Sequence, residues 1–253
     1  MTKLHATKDF WIGALRAEGP AFRAALEEQP LDAPVPTRPE WTVRELIGRL
    51  GAFYDWLGTH VTRGVTTAPE VTQPATEVPG GADPKAWWDE RYAAALATLE
   101  GVEEDLPAWN PMPAPKKAAF WLRRAAHLTT LHRWDAQMTA GMAEPIEAKL
   151  AADGLAELLD TLLPSGRGVG PRDRFGMIHL VASDLQHEWF VRLRGEGLAL
   201  LDTDTILDSD DHRARVLATG SASDLLLALH GRIGFDTLEI SGERSLLDGL
   251  RIG

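Results

Sequence analysis

FWLRRAAHLTTLHRWD, residues 120–135, is the stretch that decides the fold and the site. The pattern predicts a helix on which four side chains share one face, because residues three or four apart lie above one another; they are Arg124, Leu128, His132 and Asp135. A histidine and an aspartate on one helical face suit metal binding, acid–base catalysis or a hydrogen-bonded pair in a core. A metal site would want a carboxylate one turn before His132, where this chain has a leucine.

The composition is that of a globular protein with two domains of ordinary size. The chain has 253 residues, of which 44% are hydrophobic and 25% charged. Its formal net charge of −11 argues against nucleic acids and anionic membranes as partners. The absence of cysteine excludes disulfides, thiolate metal ligands and cysteine nucleophiles. With no signal-like or membrane-length apolar segment, we expect a cytoplasmic protein, and we expect it to be monomeric.

The first part of the chain is predicted to be helical. Apolar spacing and a capping box at Thr42 and Glu45 predict helices over 6–29, 42–63, 84–103 and 116–140. Pro30–Pro39 is expected to be a rigid connector, and residues 65–84 a long loop. A fifth helix at 145–163 precedes a glycine-rich hinge. These segments predict a four-helix bundle over residues 1–163.

The last third changes in character. Alternating patterns predict strands at 175–182, 188–194, 198–201, 213–218 and 237–240. A capped helix at Ser221–Arg232 and a short helix at 245–250 complete a small α+β domain over residues 172–253. The acidic run Asp202–Asp211 is expected to be a solvated loop.

Three motifs in this order resemble the mycothiol-dependent maleylpyruvate isomerase family: LDAPVPTRPEWTVRELIGRLG at 31–51, FWLRRAAHLTTLHRWDAQ at 120–137 and GSASDLLLALHGR at 220–232. The resemblance spans nearly the whole chain. It implies a DinB-like four-helix bundle followed by a small sterol-carrier-like α+β domain. It implies less about the reaction, because one fold hosts several chemistries.

The resemblance also implies a divalent metal, usually zinc, bound in the bundle. Its three ligand positions fall on Arg49, Leu128 and His132, and only the histidine can bind a metal, since a guanidinium has no lone pair and leucine has no donor atom. A catalytic zinc needs three protein ligands and an open position. His60 cannot replace the lost ligand, because it lies about 16 Å further along the helix than Arg49. We therefore expect no zinc.

The replacement of two expected metal ligands by Arg49 and Leu128 favours a metal-independent enzyme. Arg49 supplies a positive charge where the metal would be, and Leu128 removes the negative ligand. In this hypothesis Arg49 binds the anion of a small carboxylate or enolate, His132 moves a proton, and Asp135 orients the imidazole. The reaction would be an isomerisation, a cyclisation or an addition to an anionic or carbonyl-bearing molecule.

Two further arginines are candidates for substrate binding. Arg232 ends the HGR motif, which the resemblance associates with the substrate or thiol side of an interdomain cleft; alternatively it is a cation that favours a helix C-terminus. Arg124 belongs to the family's Arg-Arg motif and would line the pocket together with Leu128. The alternative for Arg124 is an ordinary ion pair.

Other interpretations stay open. In the first, the site has decayed: Arg49 pairs with Asp135 or Asp55, and Leu128 fills the void. In the second, the chain is a transferase or isomerase that keeps mycothiol as cosubstrate without the zinc. In the third, it is a non-catalytic accessory protein that binds a small molecule. No GxGxxG, P-loop or Gly-x-Ser-x-Gly motif supports a nucleotide cofactor or serine hydrolysis.

Overall fold

The computed structural model describes residues 6–71, 76–195, 197–201 and 214–252. They form two compact units, the bundle unit Ala6–Glu144 and the sheet unit Pro145–Gly253. The acidic run Asp202–Asp211 lies outside the described residues. No helix in the described part of the chain is long and apolar enough to cross a bilayer.

Four helices make the bundle unit, as the sequence predicts. They are α1 (Lys8–Ala25), α2 (Val43–Arg63), α3 (Pro84–Gly101) and α4 (Ala118–Thr139). The main packing pairs are α1 with α4 and α2 with α3. The predicted capping box is present at the start of α2, where Thr42 and Glu45 satisfy each other's backbone N–H groups. Gly64 ends the helix in the left-handed conformation, at φ 61°, that glycine adopts without strain.

The proline-rich connector is a small β-hairpin, which corrects the expectation of a rigid linker. Strand β1 (Pro34–Val35) pairs antiparallel with β2 (Arg38–Thr42), and Thr42 then caps α2. A two-stranded ribbon tolerates proline because each strand has an open edge that needs no N–H donor. The amide N–H of Val43 donates to Ala33 O at 3.0 Å and ties the base of the hairpin to the helix.

A buried ion pair joins α1 to α4. The Arg133 side chain, 4% exposed, donates from Nε to Glu18 Oε2 at 2.6 Å. Its Nη1 donates to Gln137 Oε1 at 2.6 Å and to the Glu144 carbonyl at 2.8 Å. A guanidinium with this many partners can be buried, because each charged donor removed from water regains a hydrogen bond.

The ring of His60 is buried among three tryptophan side chains. Its ring centroid lies 4.9 Å from those of Trp56 and Trp109 and 5.4 Å from that of Trp121. Neither of its ring nitrogens has a hydrogen-bond partner among the described residues. His60 therefore acts as a core aromatic residue of the bundle, and its pKa is lowered mainly by burial and further by the charge of Arg63.

We expect the His60→Phe variant to lose less stability in mild acid than the wild-type chain. In the unfolded chain His60 regains an ordinary pKa of about 6.5 and takes up a proton that the folded chain does not bind. Wild-type stability therefore falls as the pH drops below about 6.5, with a slope from this residue of at most about 1.4 kcal/mol per pH unit. Urea unfolding at pH 8, 6.5 and 5 measures it. The difference in unfolding free energy between the two proteins should stay constant above pH 7.5. If the unfolding free energy falls equally steeply with acid in both proteins, the prediction is wrong.

The sheet unit begins with helix α5 (Ala148–Glu157), which continues through a π-helical turn at Leu158–Leu162. The sequence assigned this helix to the bundle domain, but it packs against α6 (Ala222–Leu229), and the Ile146 N–H donates to Ser223 Oγ at 3.0 Å. The helical pattern predicts the element correctly but does not reveal its packing partner.

A five-stranded mixed sheet forms the rest of the unit. Its strands are β3 (Phe175–Ala182), β4 (His187–Arg194), β5 (Leu198–Leu201), β6 (Arg215–Gly220) and β7 (Glu239–Gly242), in the order β5-β4-β3-β6-β7. Only β3 and β6 pair in parallel among these described strands. Helix α6 connects β6 to β7, and 3-10 turns lie at Phe235–Thr237 and Arg244–Leu250. The predicted small α+β domain is confirmed.

Candidate functional site

His132 lies on α4 and is buried, with 4% of the residue exposed. Its Nδ1 is 2.8 Å from the carbonyl oxygen of Leu128, one turn earlier. Since a carbonyl oxygen only accepts, Nδ1 carries the hydrogen in the neutral ring, and Nε2 carries the lone pair. The main chain of Leu128 thus fixes the tautomer in which Nε2 can accept a proton.

Asp135, fully buried one turn after His132, is held by the hairpin. The hydroxyl of Thr37, in the turn between β1 and β2, donates to Asp135 Oδ1 at 2.6 Å. The role of Thr37 is not predictable from the sequence, because nothing in the local sequence indicates a contact with a residue 98 positions away. The orienting role of Asp135 toward the imidazole stays a prediction, since the hydrogen bond described for the ring goes to Leu128.

Arg49 is half-buried on α2 and stacks on an indole. Its Cζ lies 4.4 Å from the ring centroid of Trp41, the residue before the helix cap. The Arg49 Nε is buried and has no hydrogen-bond partner among the described residues. Stacking uses the face of the guanidinium and leaves its in-plane N–H groups available to an anion.

Trp41 brings the two halves of the site together. Its ring stacks on that of His132 with centroids 6.1 Å apart and an interplanar angle of 26°. One indole therefore contacts both Arg49 of α2 and His132 of α4. The sequence offers one signal for Trp41, which is its position directly before the cap of the helix that carries Arg49.

If the site had decayed, Arg49 would pair with Asp135 or Asp55, and neither ion pair is found among the described residues. Asp55 lies 3.4 Å from Arg91, which takes it as an ion-pair partner. Asp135 accepts from Thr37. Among the ion pairs formed by the described residues, none involves Arg49. The charge of Arg49 also affects Glu45. The pKa of Glu45 is lowered mainly by hydrogen bonds from the backbone and hydroxyl of Thr42, and the charge of Arg49 lowers it further.

The remaining predicted residues lie in different places. Arg124 and Leu128 are both half-buried on α4, one turn apart, with His132 one turn further. Arg232 lies in the sheet unit just after α6, where its Nη1 donates to the His230 carbonyl at 3.2 Å. The roles of Arg124, Leu128 and Arg232 stay predictions.

The residues at the implied metal position do not fit a zinc ion. Arg49 and Leu128 offer no lone pair, which leaves His132 as a single ligand where a catalytic zinc needs three. Within residues 6–71, 76–195, 197–201 and 214–252, no three His, Asp or Glu side chains are grouped so as to hold a metal. We therefore derive no chemical step through a metal.

The fold defines a class of protein: a helical bundle, here with a candidate site at Arg49, Trp41 and His132, followed by an α+β unit. Residues 12–137 match the family described as Mycothiol maleylpyruvate isomerase N-terminal domain. Residues 149–249 match the corresponding C-terminal domain. The chain belongs to the mycothiol maleylpyruvate isomerase family, as the motifs predicted.

Two solved structures are similar over almost the whole chain. A crystal structure of a histidine-to-alanine mutant of the mycothiol-dependent maleylpyruvate isomerase has a TM-score of 0.65 at 13% identity. A crystal structure of the mycothiol-dependent maleylpyruvate isomerase has a TM-score of 0.60 at 12% identity. Each covers 96% of this chain and 97% of its own. At these identities the likeness shows the fold alone. A comparison with curated proteins gives no match.

Proposed function

We propose that this chain is an enzyme that isomerises, cyclises or adds to a small anionic or carbonyl-bearing molecule without a metal ion. The observation that carries the proposal is the guanidinium of Arg49, which stacks on Trp41 at the implied ligand position and has no ion-pair partner among the described residues. Trp41 also contacts His132, so one indole lies beside both the guanidinium and the imidazole.

Arg49 is suited to hold a carboxylate or an enolate. Its planar fork matches the two oxygens of a carboxylate, and contact with the Trp41 face restricts the rotation of the guanidinium. A fixed cation in a half-buried site also stabilises negative charge as it develops on a carbonyl oxygen. Arg49 thereby takes over the electrostatic part of the work that a metal does elsewhere in such sites.

His132 is the group that moves the proton. Its Nδ1 hydrogen bond to the Leu128 carbonyl directs the lone pair of the neutral ring to Nε2. Nε2 removes a proton from the carbon beside the substrate carbonyl and returns it to another position, so the imidazole ends as it began. We propose that Asp135 stabilises the imidazolium formed in between through its charge.

The other predicted residues complete the proposed pocket. Leu128 forms an apolar wall beside His132, and Arg124, one turn earlier on α4, binds a second polar group of the substrate. The half-buried state of Arg124 and Leu128 supports this arrangement, because such side chains can contact a ligand.

A second candidate keeps mycothiol as cosubstrate. Both family domains match, and both solved structures carry the name mycothiol-dependent. In this version Arg49 would stabilise the thiolate of mycothiol, which then adds to the substrate. It is the weaker candidate, because a bound metal ion activates a thiol more strongly than one guanidinium does.

Anion binding by Arg49 is tested with maleate, an unreactive dicarboxylate. We expect Arg49→Gln to weaken maleate binding by about 10- to 100-fold in calorimetric titrations, since hydrogen bonds to charged groups contribute about 1.5–3 kcal/mol each. Arg44→Gln is the matched control, because Arg44 is an exposed arginine on the same helix. Equal affinities of the wild type and the Arg49 variant would refute the proposed anion site.

Turnover is measured next, with maleylpyruvate and related oxo-acids followed by ultraviolet absorbance. Each compound is tested with and without mycothiol, after chelation and with added Zn²⁺. Turnover of any of these compounds that survives chelation supports the metal-independent enzyme, and dependence on mycothiol identifies the second candidate. Turnover that needs stoichiometric zinc refutes the proposal. Maleate binding without turnover of any compound favours the accessory binding protein instead.

A further inference from the structure

A cavity of about 590 Å³ lies in the sheet unit, at the end of the sheet where β3 begins and β4 turns into β5. Its walls come from the loop 163–174 before β3, from the turn 193–198, and from Gly249 in the 3-10 turn Arg244–Leu250. Six of the described lining residues are glycines, and the charged ones among them are Arg172 and Arg174. The volume is within the usual range for small-molecule pockets.

The glycines let main chain form much of the cavity surface. A Cβ atom at Gly170 would overlap the carbonyl oxygen of Asp248, so the loop before β3 lies directly on the backbone of the 3-10 turn. At Gly197 φ is 118°, and nothing lies within 4 Å of the position that a Cβ would take. A ligand can therefore approach the chain more closely here than it could beside larger residues.

Neither arginine of this cavity forms an ion pair with a residue that the structure describes. Arg172 is exposed, and its Nη2 donates to the carbonyl oxygen of Gly166 at 3.0 Å. Arg174 is half-buried, and its Nη1 lies 3.5 Å from Ser245 Oγ. The Arg174 Nε is buried and has no hydrogen-bond partner among the described residues. Since a guanidinium has five N–H donors, the described protein groups use only a small part of the donor capacity of either side chain.

One carboxylate lies near the two arginines, outside the described lining of the cavity. The pKa of Glu243 is lowered mainly by hydrogen bonds from the hydroxyl and the backbone of Ser245, and the charge of Arg174 lowers it further. Glu243 is therefore ionised at neutral pH and offsets part of the charge of Arg174. The rest of that charge and the charge of Arg172 make the cavity locally cationic, although the chain as a whole carries a net charge of −11.

We propose that this cavity binds a small organic phosphate, a phosphomonoester with an apolar body. A phosphomonoester has three terminal oxygens and a charge of about −2, so it can accept hydrogen bonds from two guanidinium groups at once. Arg172 and Arg174 contact the phosphate, and the body lies against Leu163, Leu193 and Leu198, which line the same cavity. The occupant is a soluble ester and not a lipid headgroup, because the net charge of the chain opposes its approach to an anionic membrane.

This site is independent of the proposed site in the bundle unit. All of its described residues belong to the sheet unit, and it uses neither Arg49 nor His132. Binding can therefore be measured on the full chain without knowledge of the reaction. Each titration is repeated with Arg49→Gln, which removes the proposed anion site of the bundle and should leave binding at this cavity unchanged.

The test titrates the full chain by calorimetry, in a buffer without phosphate, with 2-naphthyl phosphate, 2-naphthoate, 2-naphthylmethanol and inorganic phosphate. We expect the phosphate ester to bind most tightly, with an affinity that falls as salt is added. The carboxylate and inorganic phosphate should each bind roughly tenfold more weakly, the first for lack of charge and the second for lack of a body, and the neutral alcohol more weakly still.

Variants locate the binding site. Arg172→Gln and Arg174→Gln should each weaken the phosphate ester about tenfold, because each removes a charged hydrogen-bond donor. Leu198→Asn should weaken the ester and leave the affinity for inorganic phosphate unchanged. Arg244→Gln is the matched control and should change nothing, since Arg244 is an exposed arginine of the same unit outside the described lining. Melting temperatures of all variants establish that they fold.

Amide shifts in NMR spectra should concentrate on residues 163–174 and on the turn after β4. The proposal is overturned if the ester does not bind, if the alcohol or the carboxylate binds as tightly, or if the double arginine variant binds as the wild type does. Shifts confined to the bundle unit also overturn it. Vesicles of phosphatidylcholine containing phosphatidic acid test the lipid source of the same chemistry. Cosedimentation with these vesicles without binding of the soluble ester would overturn the proposal as well.

Discussion

Truncation of Arg133 to alanine is expected to cost about 3–5 kcal/mol of unfolding free energy, the range typical of breaking a buried ion pair from one side. Glu18 would keep a carboxylate whose side chain is only 13% exposed, now without its cation. Gln137 Oε1 and the Glu144 carbonyl would each lose the donor that Nη1 supplies. Urea unfolding at neutral pH, followed by circular dichroism, measures the loss.

Two comparisons distinguish the free-energy cost of leaving a charge buried without a partner from the cost of losing an ion pair. Arg16 pairs with Glu100 at 2.9 Å, but its side chain is 63% exposed, so Arg16→Ala should cost at most about 1 kcal/mol. Replacing both partners, Arg133→Met with Glu18→Leu, should recover most of the loss, because no buried charge is then left alone. A loss for Arg133→Ala as small as that for Arg16→Ala would show that the pair is effectively solvated.

Replacement of His132 by glutamine is expected to lower kcat by about 10²–10⁴-fold, the usual contribution of a general acid–base group. Glutamine is polar and of similar length, but it cannot take up a proton. The substrate is the compound turned over in the assays above. KM should change little in this variant, whereas Arg49→Gln should both raise KM and lower kcat, because the arginine binds the anion in the ground state and also stabilises the charge that develops in the transition state.

The matched control for this prediction is His127→Gln, a buried histidine on the same helix that the proposed mechanism does not use. Circular dichroism spectra and melting temperatures of both variants establish that they fold. An unchanged kcat in His132→Gln would remove the imidazole from the mechanism. So would an equal loss of kcat in the control, since the effect would then come from packing.

Most of the fold could be predicted from local patterns in the sequence. The capping box at Thr42 and Glu45 marks the start of α2, and alternation marks β3 and β4 within a residue or so. The hairpin at Pro34–Thr42 was missed because its strands are very short and rich in proline, and such ribbons form only when other elements support them. The packing of α5 was missed because an apolar stripe shows that a helix is buried without showing its partner.

The site was predictable only in part, for a related reason. Arg49 and His132 could be assigned from the family motifs, and the structure brings both into contact with one indole. The position of Trp41 depends on the pairing of the hairpin strands, and the bond between Thr37 and Asp135 depends on packing across the bundle. Contacts between residues so distant in sequence leave no periodic signal in a single chain.

The hairpin between α1 and α2 has a consequence for engineering the specificity of this protein. It supplies Trp41 and Thr37 to the site, yet it is a short surface ribbon at the ends of two long helices. In the proposed site the helices supply Arg49 and His132, while the ribbon supplies the indole that contacts both. We expect libraries confined to residues 31–41 to change which molecules the proposed pocket accepts, while Thr42 keeps its role as the cap of α2.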